Sequence, residues 1–187
     1  MKYLQIWLGK KPNKYILDCM KSVLDRVSDN DEYILISNTN FLKDKNITWI
    51  NSNDYIKEIK QNSDIDFVWK KIQNTTKGYC YKSDIIRLDY LSKNDDVLYL
   101  DCDITLLDDL IFEKGIVYLS NFGKKYDCYL MYGDKKFFGD ALKYCILNIK
   151  DYPNIPHSWI LRILNSRKLI SKYDCKFIDV KKYKHKG

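Results

Sequence analysis

A chain of 187 residues has room for one domain of ordinary size, and its composition, 45% hydrophobic and 30% charged, excludes a disordered or collagen-like polypeptide. No apolar run approaches the roughly 18–20 residues of a membrane span, and Met1–Gly9 is too short, and too soon followed by Lys10 and Lys11, for a signal-peptide core, so a cytoplasmic protein is expected. The net charge of +7 favours an anionic partner, whether nucleotide, phospholipid surface or nucleic acid, unless the lysines only solubilise the surface.

In chain order, Tyr3–Leu8 is the first expected strand. Pro12 suits a first helical turn, and Ile16, Leu17, Met20, Val23, Leu24 and Val27 then follow a helical stripe. Tyr33–Ser37 and Ile47–Asn51 read as strands, two or three helices fill Asp54–Asn74, and a longer helix runs from about Tyr79 to Lys93, with Ile85, Ile86, Leu88 and Leu91 toward the core. Further strands are expected at Val97–Leu100, Ile116–Ser120 and Asp127–Tyr132, with a last one at Lys176–Val180. Helices are expected at Lys135–Ile149 and at His157–Leu164, the latter after a rigid turn at Asn154–Pro156. The alternation predicts an α/β fold with a mostly parallel central sheet flanked by helices, and with no repeat or linker the whole of 1–187 reads as a single domain.

Cys19, Cys80, Cys102, Cys128, Cys145 and Cys175 contain no C-x-x-C pair, so neither a zinc site nor a disulfide framework is suggested, and reduced core residues are expected. Apart from a basic tail of Lys181, Lys182, Lys184 and Lys186, the lysines are scattered and no recognition motif accompanies them, which argues against nucleic-acid binding. The tail is a candidate for peripheral membrane contact.

The sharpest feature is Val97-Leu98-Tyr99-Leu100 leading into Asp101-Cys102-Asp103. The apolar run reads as a strand buried on both faces, and carboxylates at its end are costly unless a cation or hydrogen bonds compensate them. In extended backbone the two acids would point to the same side, at the carboxyl end of the strand where open α/β sheets bind ligands. Paired hard oxygens suit Mg²⁺ or Mn²⁺ shared with a substrate diphosphate. The competing reading is that the acids cap the turn after the strand. Asp84 and Arg87 lie three apart on the Tyr79–Lys93 helix and share a face, as a binding pair or as an intrahelical ion pair.

Asp101-Cys102-Asp103-Ile104-Thr105 fits the D-x-D-x-T pattern of haloacid-dehalogenase-like phosphohydrolases, in which Asp101 would be the nucleophile and Asp103 the general acid and base. That chemistry also needs a lysine and a further acidic pair on later strands, and less than half of the chain follows Thr105. Asp108 and Asp109 lie too close to serve. In that group the motif also ends the first strand, whereas three strand candidates precede it here.

The longer segment Val97 to Leu110 resembles the signature of glycosyltransferase family eight and is similar to the sugar-binding D-x-D region of family thirty-two, both of GT-A type. Ser83-Asp84-Ile85-Ile86-Arg87 resembles the S-D-x-x-R helix of family thirty-two and of the large glucosylating toxins, and Gln5-Ile6-Trp7-Leu8-Gly9 is similar to that family's first-strand segment. Two departures stand out. Asn94-Asp95-Asp96 replaces the family's Gly-Gly turn, which Asn and Asp can also form. The Asn-containing segment downstream is matched only loosely by Cys128 to Asp134.

The resemblance implies a GT-A nucleotide-diphospho-sugar transferase moving a hexose from a UDP-sugar to a glycan or glycolipid acceptor, with retention and with Mn²⁺ or Mg²⁺ as cofactor. It implies that Asp101 and Asp103 bind the metal, that Asp84 holds sugar hydroxyls and Arg87 the phosphates, and that Leu4, Gln5, Ile6 and Trp7, with Cys102, line the donor pocket. Trp7 is equally readable as core filling. Ser37 and Asn38 are further candidates for that pocket. Lys184-His185-Lys186-Gly187 resembles the start of the late segment whose histidine completes the metal site, which makes His185 a candidate third ligand; the competing reading is a solvated basic tail. His157 reads as part of a turn or helix start. The remaining alternative to catalysis is a non-catalytic sugar-nucleotide-binding protein.

Overall fold

The computed structural model describes residues 1–73, 78–122, 125–151 and 167–185. The elements run β1 (Lys2–Trp7), α1 (Lys14–Leu24), β2 (Glu32–Ser37), β3 (Ile47–Asn51), α2 (Ser52–Ile59), α3 (Ser63–Ile72), α4 (Gly78–Lys93), β4 (Val97–Leu100), β5 (Ile104–Leu106), β6 (Val117–Phe122), β7 (Lys125–Tyr132), α5 (Lys135–Asp151), α6 (Arg167–Ile170), β8 (Cys175–Phe177), a 3₁₀ turn (Val180–Lys182) and β9 (Tyr183–His185). Seven strands form one sheet in the order β3-β2-β1-β4-β7-β6-β8, and β5 pairs with β9 in a separate ribbon. β1 pairs in parallel with β2 and β4, β2 with β3, and β6 with β8, while β7 is antiparallel to both β4 and β6. Among the described residues, only β7 therefore runs against the rest of the sheet.

The strands at the centre are buried on both faces, as their unbroken apolar runs require. β4 is buried at all four positions and β1 at its middle four. Leu4, Ile6, Ile34, Ile36 and Tyr99 pack with α2, α3, α4 and α5 in one apolar layer. Tyr3, Tyr33, Leu35, Leu98 and Leu100 pack with Met20 and Val23 of α1 and with Ile104 and Leu106 of β5 in the other. At about 25 cal/mol per Å² of apolar surface removed from water, these layers supply the main driving force for the fold.

Local chemistry sets the element ends. Asn13, Asn51 and Asn62 each cap a helix by accepting a backbone N–H of the first turn. Pro12 therefore precedes the cap of α1 and does not occupy its first turn, because the Asn13 side chain supplies the better N-terminal acceptor. Asp96 takes a positive φ of 56° immediately before β4, the role expected of an acid in the turn that replaces Gly-Gly. Its carbonyl accepts the Lys2 N–H at 2.8 Å, and its carboxylate accepts the Tyr132 hydroxyl at 2.9 Å.

The expected last strand, Lys176–Val180, is shorter and earlier. β8 ends at Phe177, and Asp179 then caps the 3₁₀ turn by accepting from the Lys181 N–H. The helix expected at His157–Leu164 lies outside the described residues. Among the described residues no helix is long and apolar enough to cross a membrane.

Gly133 ends β7 at a φ of +152°, and a Cβ there would sit 2.9 Å from the Val117 Cα on β6. Both backbone conformation and backbone contact forbid a side chain. Gly133→Ala is expected to destabilise the fold by about 1–3 kcal/mol, measurable as a lowered urea midpoint with an unchanged slope.

Candidate functional site

The site forms where two neighbouring strands part. β1 and β4 are paired at Lys2 with Val97, Tyr3 with Leu98 and Leu4 with Tyr99. Beyond these pairs a cavity of about 460 Å³ opens at the carboxyl ends of the two strands. Ile6, Trp7, Leu8 and Gly9 form one wall, and Tyr99, Asp101, Cys102 and Asp103 form another. Helix α4 closes a third side with Tyr79, Ser83 and Arg87, four residues apart on one face, together with Cys80. Ile16 of α1 completes the lining.

Asp101 and Asp103 both reach this cavity, but not from extended backbone as the sequence suggests. β4 ends at Leu100, and the Ile104 N–H donates to the Asp101 carbonyl at 3.2 Å, closing a turn over 101–104. The turn is anchored on both sides. The Asp101 N–H donates to the Tyr129 carbonyl of β7 at 2.8 Å, and its carbonyl also accepts from Gln5 Nε2 of β1 at 3.2 Å.

Arg87 is only 5% exposed, and a cation so buried needs close compensation. Its guanidinium pairs with Asp84 at 2.6 Å and with Asp101 at 3.4 Å, donates to the Cys128 carbonyl at 2.8 Å, and lies 4.4 Å from the centre of the Tyr99 ring. Burial pulls its pKa down, but Tyr99, Asp84 and Asp101 more than offset this and hold it well above the ordinary value. Arg87 is therefore permanently cationic. Its Nε is buried without a hydrogen-bond partner among the described residues.

Tyr99, fully buried, donates its hydroxyl to Asp101 Oδ1 at 2.5 Å. Burial first, with Asp101 adding, drives its pKa well up, so the hydroxyl stays a donor. The Cys102 thiol donates to the Ile6 carbonyl at 3.3 Å, and burial pushes its pKa up as well. It is not a thiolate. Tyr15 of α1 donates to the Asp103 carbonyl at 3.4 Å.

Of the residues expected from sequence, Ile6, Trp7, Arg87, Asp101, Cys102 and Asp103 share the cavity wall. Others do not. Leu4 is wholly buried in the core, because β1 is still paired with β4 at that point. Gln5 is also wholly buried and faces Tyr33 and the Asp101 carbonyl. Asp84 stands behind Arg87 as its ion-pair partner, the alternative that helical spacing had left open. Ser37 is buried, donating to the Thr39 carbonyl and accepting from Trp49, and neither it nor Asn38 lines the cavity.

The backbone of His185 pairs with that of Ile104, one residue past Asp103, while His157 lies outside the described residues. Among the described residues, no three His, Cys, Asp or Glu side chains converge as a ready-made metal cage. Tyr99, Tyr79, Cys80 and Ile16 were not singled out from the sequence, and Ser83 and Gly9 entered only as members of the S-D-x-x-R and first-strand segments. Of the first four, Tyr99 carried a signal, since a phenol inside an otherwise apolar buried strand needs a hydrogen-bond acceptor.

No protein-family model matches the chain, and no curated protein matches it. Solved structures do. The PaToxG glycosyltransferase aligns over 91% of this chain and 67% of its own, with a TM-score of 0.68 at 17% identity. The galactosyltransferase LgtC, in complex with donor and acceptor sugar analogs, aligns over 95% of this chain and 73% of its own, with a TM-score of 0.53 at 14% identity. The glycosyltransferase GlyE of Streptococcus pneumoniae TIGR4 aligns over 94% of this chain but 44% of its own, with a TM-score of 0.54 at 14% identity. This chain thus spans less than half of the length of GlyE. At such identities the likeness concerns the fold, which is the α/β architecture of GT-A glycosyltransferases.

Removing the charge of Arg87 would take the paired cation from Asp84 and Asp101. Arg87→Met is expected to destabilise the protein by about 3–5 kcal/mol, read from chemical denaturation; a loss below about 1 kcal/mol, the scale of an exposed pair, would refute the central role given to this cation.

Proposed function

We propose that the chain is a metal-dependent glycosyltransferase, akin to families eight and thirty-two, that moves a hexose from a UDP-sugar to a glycan or glycolipid acceptor in the cytoplasm. The observation that carries this reading is the joint presence, in a GT-A fold, of Asp101, Asp103 and the buried Arg87 on one cavity at the carboxyl ends of β1 and β4. The volume of about 460 Å³ lies within the usual range for small-molecule sites.

The residues present fit a divalent cation. Two carboxylates on one open cavity give hard oxygen donors and leave room for water and phosphate oxygens, as Mg²⁺ or Mn²⁺ requires. Asp103 and Asp101 would hold it, and the register of β9 beside β5 keeps His185 as a candidate third donor. Bound there, the ion supplies Lewis-acid stabilisation of negative charge on a departing diphosphate.

The chain's own groups then have defined tasks. Arg87 holds a fixed positive charge at the cavity wall, which favours the phosphates of a donor. Tyr99 orients the Asp101 carboxylate. Asp84 acts through Arg87 by fixing the guanidinium, and Ile6 and Trp7 offer an apolar wall for the nucleoside. Retention at the anomeric carbon follows from the family resemblance.

A phosphohydrolase reading fits the geometry less well. The Asp101 carboxylate, the nucleophile it would require, is held through its Oδ1 by Tyr99 and Arg87. Asp108 and Asp109 pair with Lys182 and Arg26 at 3.4 Å each and do not line the cavity.

Calorimetry should show UDP binding that requires Mn²⁺ or Mg²⁺, and Asp103→Asn should abolish metal-dependent turnover across a panel of nucleotide sugars while the circular dichroism spectrum is retained. Turnover near the wild-type level in that variant would remove Asp103 from the reaction. UDP binding with neither transfer nor donor hydrolysis would identify a non-catalytic binding protein.

A further inference from the structure

The pairing of β1 with β4 stops at Leu4 and Tyr99, and from there backbone groups that a ladder would have satisfied face a widening gap. A buried carbonyl left without a donor is costly, so other groups must take over. Side chains do so. Gln5 Nε2 donates to the Asp101 carbonyl at 3.2 Å, and the Cys102 thiol donates to the Ile6 carbonyl at 3.3 Å.

The Gln5 amide is itself held, because the Tyr33 hydroxyl of β2 donates to its Oε1. A carbonyl only accepts, so the amide must turn its NH₂ toward Asp101 and its oxygen toward Tyr33. Tyr33 and Gln5 both have 0% exposure, and neither lines the cavity. Burial drives the pKa of Tyr33 well up, which keeps its hydroxyl a donor. Tyr33 sits in an apolar layer with Tyr3, Leu35, Leu98 and Leu100. Hydrocarbon side chains could fill such a layer without loss of stability, so a buried polar relay calls for a role other than stability.

Resting on the reading of the site as a metal-dependent donor site, we propose that Tyr33 and Gln5 are positioning residues. Through one buried chain of hydrogen bonds they set the 101–104 turn, and thereby the alignment of the Asp101 and Asp103 carboxylates toward a divalent cation. The relay runs from β2 through β1 to the carbonyl that also accepts the turn-closing Ile104 N–H. It touches no ligand and acts only through the backbone of Asp101.

The test compares Tyr33→Phe, which deletes one hydroxyl and keeps the ring, with Gln5→Met and with the double variant. Mn²⁺ affinity is measured by calorimetry in the presence of UDP, and amide hydrogen exchange is followed across the whole chain. Each single variant should bind Mn²⁺ roughly 10- to 100-fold more weakly. Exchange should quicken at 101–104 while α4 and α5 stay as protected as in the wild type. The double variant should bind no more weakly than Gln5→Met alone, since both changes break the same chain.

Wild-type Mn²⁺ affinity in Tyr33→Phe would overturn the proposal, as would losses that add in the double variant or exchange that quickens uniformly over the fold. If Gln5→Met fails to fold, the Tyr33→Phe affinity decides alone. A wild-type protein that binds neither Mn²⁺ nor UDP would instead overturn the reading of the site on which the proposal rests.

Discussion

A buried guanidinium organises the centre of this molecule. Taking a cation out of water costs several kcal/mol, and only close, well-oriented partners offset it. Arg87 draws those partners from three elements: Asp84 on its own helix, Tyr99 and Asp101 at the end of β4, and the Cys128 carbonyl of β7. The requirement to neutralise one charge therefore fixes how α4 lies on the sheet. It also makes Asp101 part of the wall, since the same carboxylate oxygen faces both the guanidinium and the Tyr99 hydroxyl.

The antiparallel strand serves the same end. Because β7 runs against β4, its early residues lie beside the end of β4, where the acids begin. Its carbonyls at Cys128 and Tyr129 then accept from Arg87 and from the Asp101 N–H. On the opposite flank β1 has already parted from β4, and side chains in place of a ladder hold the turn. The cavity lies on the parted side. Local loss of pairing between two parallel strands is thus what creates room for a ligand, and the intact pairing on the other side keeps the acids from moving with it.

Much of the architecture was readable from the sequence because its strands are short apolar runs with clear turn chemistry. Ile47–Asn51 and Val97–Leu100 have the same limits in sequence and structure. β5 and β9 were not readable. Three residues give too little periodicity to distinguish a strand from a loop, and these two strands exist through their pairing with each other. At the site, the apolar strand ending in two acids drew attention to the correct end of the sheet. The path of the backbone there was hidden, because the 101–104 turn depends on Gln5 and Tyr129, which lie far away in sequence. Burial was hidden for the same reason. Spacing put Asp84 and Arg87 on one face of α4, but only the packed structure shows that the arginine reaches the cavity while the acid stands behind it.

The ribbon of β5 and β9 has a consequence for the order in which the molecule is completed during synthesis. Chains emerge from the ribosome amino end first, and contacts between distant positions wait for the later partner. β1 to β4 and α4 can associate early, yet the residues directly after Asp103 find their pairing partners only at 183–185. The Leu107 N–H likewise waits for the Lys182 carbonyl. Translation past His185 must therefore precede closure of this flank, and a nascent polypeptide stalled short of that point would leave the backbone edge of β5 unpaired.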